Sequence, residues 1–263
     1  MTLLTMGLIG AARALDRLHG GRPGRALVVL RDDRSGTATM EFALVLPFVM
    51  FMGLTLTQVT LMMAGQQFVH YAAYAATRSA VTWIPRDESP YEPRNVIEVG
   101  GDSTKMSAIR RAGILAVAPA GGRLASSDAI PADQIVEGIR GLYEGYGAAP
   151  PRWVTTLAGD RLRYAAANTR VVLMRTEVEG DDVRFVDLED GLARFGPREA
   201  VSVRVEHRLH LAVPYVRKIF EDGRHDGSTG QGAYVNVSAQ YTLVNFGIEP
   251  TLPPRPSLPR INP

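Results

Sequence analysis

Between Phe42 and Gly65 the chain carries no Asp, Glu, Lys, Arg or His, and its only polar side chains are Thr55, Thr57, Gln58 and Thr60. At ~1.5 Å per helical residue this run covers roughly 36 Å, enough for a hydrocarbon core of about 30 Å. It predicts a membrane-spanning helix over 42–65. The pattern then changes without breaking: Gln66, Gln67, His70, Tyr71 and Tyr74 alternate with Ala72, Ala73, Ala75, Ala76 and Ala80, and no Gly or Pro stands between Gln66 and Ile84. Because Ala is the best helix former, one continuous helix is predicted from about Thr37 to Thr82, its second half outside the bilayer. Ala72, Ala76 and Ala80 lie four apart on one ridge. Either the protein's own globular part or the helix of another subunit would fill that ridge, and spacing does not separate the two. Gly53 and Thr57 form a second small pair inside the span. Pro47 removes a backbone hydrogen bond there, which membrane helices tolerate where neighbours satisfy the freed carbonyl.

Three prolines, Pro85, Pro90 and Pro93, end the helix and predict an extended connector. Lys105–Val117 places Met106, Ile109, Ile114, Leu115 and Val117 on an approximate helical stripe, closed by Pro119, Gly121 and Gly122. Further helices are expected at Ala132–Tyr143, with Asp128 or Asp133 as cap or dipole partner, and at Leu157–Asn168. The period then shifts to two. Arg170–Val178 and Val183–Val186 flank a Glu-Gly-Asp-Asp turn and predict a hairpin. Val201, Val203, Val205, His207, Leu209, Leu211 and Val213 alternate with Ser202, Arg204, Glu206, Arg208, His210 and Ala212, the clearest strand pattern in the chain, ending at Pro214. A short helical turn at Tyr215–Phe220, a Gly-rich loop at Asp222–Gly232 and a strand at Tyr234–Val244 follow. Six prolines in the fourteen residues from Pro250 to Pro263 predict an extended tail. The expected architecture is α+β: a long N-terminal transmembrane helix extending into a soluble domain with an antiparallel sheet. Its divisions fall at 1–36, 37–83, 84–249 and 250–263.

Charge orients this arrangement. Arg13, Arg17, Arg22, Arg25, Arg31 and Arg34 precede the span, against Asp16, Asp32 and Asp33, whereas the nearest basic residues beyond it are Arg78 and Arg86. That excess predicts a cytoplasmic N-terminus and an external C-terminal domain, in a single pass through the inner (cytoplasmic) membrane. Met1–Ala12 is too short to span; a secretory signal cleaved near Ala12 is the poorer reading, and a translation start downstream of Met1 stays open. Net charge is +2 over 263 residues, and 21% are charged, so no nucleic-acid footprint is expected. With no Cys there is neither disulfide nor thiolate chemistry.

Candidates for catalysis are thin. His207 and His210 stand three apart on a predicted strand, so they should point to opposite faces and share no metal. Asp181, Asp182, Asp187, Glu189 and Asp190 form an acidic patch that could take calcium. It lacks the spacing and central Gly of an EF-hand loop and reads better as a solvated hairpin rim. Gly223–Gly232 has no following Lys-Ser/Thr to complete a phosphate loop, and no Gly-x-Ser-x-Gly elbow occurs. Neither enzymatic activity nor a cofactor or metal is expected.

The segment Gly36-Thr-Ala-Thr-Met-Glu41-Phe42, followed by ALVLPFVMFMG and later by YAAYAATRSAV, resembles the N-terminus of TadE-like pseudopilins of the tight-adherence (Flp) pilus machinery. The resemblance covers about Ser35 to Val81, with a looser likeness of the last strands to TadE/TadG-like C-terminal segments. It implies a pilin-like domain on the long helix, and cleavage by a prepilin peptidase between Gly36 and Thr37, leaving Glu41 as fifth and Phe42 as sixth mature residue. It further implies that Glu41 meets the freed amine of a neighbouring subunit during assembly. The partners so implied are the peptidase, other pilins or pseudopilins in a homo- or hetero-oligomer, and the assembly platform. The residue types suit these roles independently. A Gly before the scissile bond enters a protease cleft extended and without a clash. A carboxylate at the edge of a span needs a partner or an interfacial position, and marking the headgroup level is the plainer use of Glu41. Two functions from different classes therefore remain: a processed structural subunit of a pilus or type II-related secretion machine serving adhesion, or an unprocessed single-span protein whose outer domain binds an envelope ligand or partner.

Overall fold

The computed structural model describes residues 35–88, 92–100, 103–124, 130–179, 182–188, 190–225 and 232–247. The segments expected as N-terminal leader and Pro-rich tail lie outside them, except for Ser35 and Gly36. The architecture is α+β, with a long apolar N-terminal helix and a domain built on antiparallel sheet. Two compact units divide the chain, Met1–Thr55 and Leu56–Pro263.

Helix α1 (Ser35–Trp83) matches the predicted continuous helix and contains Pro47. In the first unit its apolar side chains lie open: Met40, Phe42, Leu44 and Phe48 expose 65–79% of their surface. Thr55 donates its hydroxyl to the Phe51 carbonyl at 2.8 Å, which satisfies the side chain within its own helix.

The second unit holds the rest of α1 and the folded domain. Strand β1 (Val96–Val99) is followed by helix α2 (Thr104–Val117), a 3-10 turn (Ala118–Ala120), and helices α3 (Ala132–Gly145), α4 (Arg152–Thr156) and α5 (Ala158–Asn168). Strands β2 (Thr169–Glu179), β3 (Asp182–Asp187), β4 (Gly191–Arg194) and β5 (Ala200–His210) come next, then the short helix α6 (Arg217–Phe220), β6 (Gly223–Arg224) and β7 (Ala233–Val244). Five strands make one antiparallel sheet in the order β3-β2-β5-β7-β6, while β1 pairs with β4 alone. In the sheet, Leu173 pairs with Val203 and Val205 with Ala239, so one register puts these apolar residues on a common face.

That face, α2, α5 and the second half of α1 enclose a single core. From α1 come Val69, Ala72, Ala73, Ala76 and Ala80, all fully buried. Small side chains are needed here: a Cβ placed on Gly113 of α2 would stand 3.5 Å from the Cβ of Ala76 and 3.2 Å from Val171 Cγ2. Helix α2 is started by Ser103, whose hydroxyl accepts the Met106 N–H at 2.9 Å.

Several expectations need correction. Asp133 lies in the first turn of α3, where a dipole partner is expected, but it is not the cap: Pro131 holds that position without a side-chain bond, and the Asp133 carboxylate pairs with Arg163 at 2.5 Å. Asp128 lies outside the described residues. The long β pattern leaves the ladder at His210, not Pro214, although Leu211 still donates its N–H to the Ala233 carbonyl at 2.9 Å. Strands β1 and β4 and helix α4 fall in segments that the pattern left without an element. They are four or five residues long, too short for a period to register.

Candidate functional site

Helix α1 carries the residues singled out for processing and assembly. Because the helix begins at Ser35, Gly36 and Thr37 lie in its first turn. Glu41 and Phe42 follow on its exposed surface. Gly53 is exposed too, with open space where a Cβ would stand, and Thr57 is exposed one turn later. These residues are gathered by the helix itself and by no cleft. Ala72, Ala76 and Ala80 differ: the domain's own core covers them, so of the two fillings that spacing left open, the intramolecular one is present. No helix surface remains on that ridge for another subunit.

Among the described residues one helix, Met40–Trp83, is long and apolar enough to cross a membrane, as a membrane protein of the kind the sequence resembles would need. A helix that is apolar all round and uncovered is soluble only in lipid.

Two buried polar clusters were not anticipated. At the end of α1, the fully buried Lys105 ammonium donates to the carbonyls of Ile84 (3.0 Å), Pro93 (2.9 Å) and Val96 (2.7 Å). Glu92 faces the same point and accepts from the Ser103 hydroxyl at 2.5 Å and the Glu98 N–H at 3.0 Å. Burial holds the Lys105 pKa below its ordinary value, against the pull of Glu92, Glu88 and Asp87. Burial would raise the Glu92 carboxyl, but the hydrogen bonds it accepts and the Lys105 charge outweigh this and keep it low. The cluster fastens the connector to the helix end. Its sequence signal was present: Lys105 stands four and eight residues before Ile109 and Gly113, on the buried stripe of α2.

The second cluster centres on Tyr164 of α5. Its ring meets those of His207, His210 and His225 at centroid distances of 6.0, 6.2 and 5.3 Å. Its hydroxyl donates to the Arg208 carbonyl at 2.7 Å and lies 2.7 Å from His225 Nε2. Alternation places His207 and His210 on opposite strand faces, yet both imidazoles reach one phenol that packs across the end of β5. His207 Nδ1 lies 2.8 Å from the Thr169 hydroxyl. Burial drives His207 down to about 4, with His225 adding in the same direction, and keeps it neutral. Burial lowers His210 as well, and raises Tyr164. A groove of about 490 Å³ opens beside this cluster, lined by Asn168, Thr169, Arg170, Glu206, His207 and Asn236 among others. No group of three or more His, Asp or Glu among the described residues is placed to hold a metal. In the acidic patch, Asp187 pairs with Arg204 at 2.5 Å, Asp182 and Asp190 are exposed, and Asp181 and Glu189 lie outside the described residues.

The sequence model of the TadE-like protein family matches residues 36–78. The match begins at Gly36 and runs into the buried half of α1, the segment whose residues carry the resemblance. No curated protein and no solved structure matches the chain.

Proposed function

We propose that this chain is a TadE-like structural protein of a tight-adherence pilus or related secretion machine, matured by a prepilin peptidase between Gly36 and Thr37. The observation that carries this reading is the family match starting at Gly36, on a helix whose next turns are apolar and uncovered. The mechanism is mechanical. Arginines ahead of the span hold the precursor with its N-terminus in the cytoplasm, and the domain folds outside the inner membrane. Cleavage frees the Thr37 amine, which can meet Glu41 of a neighbouring subunit and spare that carboxylate an unpaired place in lipid. The uncovered helix residues, Gly53 and Thr57 with them, then exchange lipid for other pilin helices at the assembly platform. A passive outer domain suits a machine part.

The competing reading, an unprocessed membrane protein that binds an envelope ligand, would use the groove beside His207. Intact mass of the membrane-extracted chain separates the two. In cells with a competent prepilin peptidase the first reading expects loss of residues 1–36, and Gly36→Arg should stay full length and fail to support piliation. A mature chain still beginning upstream of Thr37 under those conditions would overturn it.

A further inference from the structure

In the second unit, the domain and the apolar run overlap. Gln58 is 1% exposed, and its side-chain oxygen accepts the Val213 N–H at 3.0 Å. Gly65 is covered by Leu209, whose Cδ2 would stand 2.5 Å from a Cβ there. Passing from Leu209 to Val213 therefore moves from the level of Gly65 to that of Gln58, towards the start of the helix. Yet at these same levels Leu56, Leu61 and Met63 expose 46–64% of their surface. They belong to a run with no charge from Phe42 to Gly65, and only lipid covers such a face without cost. One side of the helix thus stays open and apolar at the levels where the other meets the domain.

The turn that follows Val213 has the composition of a membrane interface. Tyr215 is 81% exposed and Ile219 59%, while Val216 between them is fully buried and anchors the turn. The Tyr215 backbone sits at φ 66°, a left-handed conformation that is a genuine outlier for a bulky aromatic, and it holds the ring outward. Arg217 and Lys218 lie between the two exposed apolar side chains, and among the described residues neither enters an ion pair. Of the described carboxylates nearby, Glu221 pairs with Arg224 at 3.5 Å through Oε1, and Asp222 accepts from the Asn236 N–H at 2.7 Å. An amphipathic aromatic, an aliphatic and cations without an ion pair among the described residues, Lys218 exposed and Arg217 partly covered beside Gly232, are what headgroup regions select.

We propose that the Pro214–Phe220 turn is a lipid-docking foot. Tyr215 and Ile219 enter the boundary of headgroups and acyl chains, and Arg217 and Lys218 meet lipid phosphates. The domain then stands on the bilayer and does not swing on the helix as on a tether. This rests on the membrane reading of α1 but not on processing at Gly36, and it holds for a cleaved or an uncleaved chain.

The absence of cysteine makes the test direct. Tyr215→Cys and Ile219→Cys are each labelled with an environment-sensitive fluorophore in the full chain, reconstituted singly in bilayer nanodiscs containing anionic lipid. Quenching by spin-labelled lipids is then read. Phe48→Cys, within the span, reports whether the helix is embedded. Phe246→Cys reports the opposite end of the domain, where Gly247 packs by Pro85 just beyond the helix end. The foot predicts strong quenching at 215 and 219 by lipids labelled near the headgroup, a depth of about 5–10 Å, and none at 246. Quenching at 48 with 215 and 219 no different from 246 overturns the foot alone; no quenching at 48 overturns the membrane reading beneath it. Labels at 215 and 219 that are shielded only when two copies share a disc assign the turn to a second subunit, which also overturns lipid docking.

Discussion

The two halves of helix α1 invert the usual relation between hydrophobicity and burial. Its first half is Leu, Val, Phe and Met, and these side chains are exposed; its second half is Ala with Gln, Tyr and Thr, and its alanine ridge is fully buried. The difference lies in what each half meets. Lipid presents no fixed shape, so the first half needs only average apolarity over enough length. A folded domain is a close-packed solid, so the second half is selected for size at single positions. Thr77 shows the finer specification: its hydroxyl bonds the Ala73 carbonyl at 2.7 Å and lies 3.2 Å from the Tyr241 carbonyl of β7. Tyr74 meets Tyr241 edge-on at 5.1 Å.

If the buried half is specified by individual contacts, its sharpest dependence should be on the latch at its end. Lys105→Ala leaves three carbonyls without their shared donor and the Glu92 carboxylate without its neighbouring positive charge. Removing one partner of a buried charged cluster typically costs about 3–5 kcal/mol. Chemical unfolding of the detergent-solubilised chain, followed by the fluorescence of Trp83 and Trp153, should move by that order. A loss below ~1 kcal/mol would mean that the connector is held mainly by its apolar packing.

The domain half should also be acid-labile through His207. Its folded pKa of about 4 lies below the ordinary 6.5, so between these values the unfolded chain binds the extra proton. Stability is then complete above about pH 6.5 and falls as pH drops towards 4. The shift corresponds to about 3 kcal/mol at most. Facing the ring are the Thr169 hydroxyl, Tyr164, His225 and the Asn168 backbone; the Asn168 hydrogen bond favours the charged form, and burial outweighs it. Glu92, lowered from 4.5, acts with the same sign but only as pH falls through that lower range. His207→Gln should reduce the slope of unfolding free energy between pH 6.5 and 4.5 to the part that His210, also lowered by burial, contributes, and leave the more acidic loss in place.

How far the sequence discloses this molecule follows the same divide. The membrane half is plain because a charge-free run is a one-dimensional property, and Gly36, Glu41 and Phe42 are read by offset alone. Strand β5 is equally plain, since strict alternation encodes a strand, although the pattern runs on to Val213 past the end of the ladder at His210. The partners in the clusters around Lys105 and Tyr164 were illegible for a different reason, although the place of Lys105 on the buried stripe of α2 was itself a signal. Each cluster joins side chains from elements far apart in the chain, Glu92 with Lys105 and Tyr164 with His225, and period and offset carry no information about such pairings. The ridge Ala72, Ala76 and Ala80 lies between these cases: spacing declares a close approach, and only the fold says that its partner is Gly113 and the domain's own sheet.

That ridge supplies the smallest and most selective test, because one kind of substitution can be made on both halves. Ala76→Leu adds three carbons where the Gly113 backbone leaves no room, and overpacking of this kind typically costs about 1–3 kcal/mol. Leu44→Phe also adds three carbons, on a side chain that is 79% exposed, and its effect on domain unfolding should stay within about 0.5 kcal/mol. A shared sensitivity would show that lipid or detergent constrains the first half as tightly as protein constrains the second. A large loss for Ala76→Leu beside none for Leu44→Phe would confirm that one unbroken helix obeys two packing rules, average apolarity before the domain closes on it and exact fit afterwards.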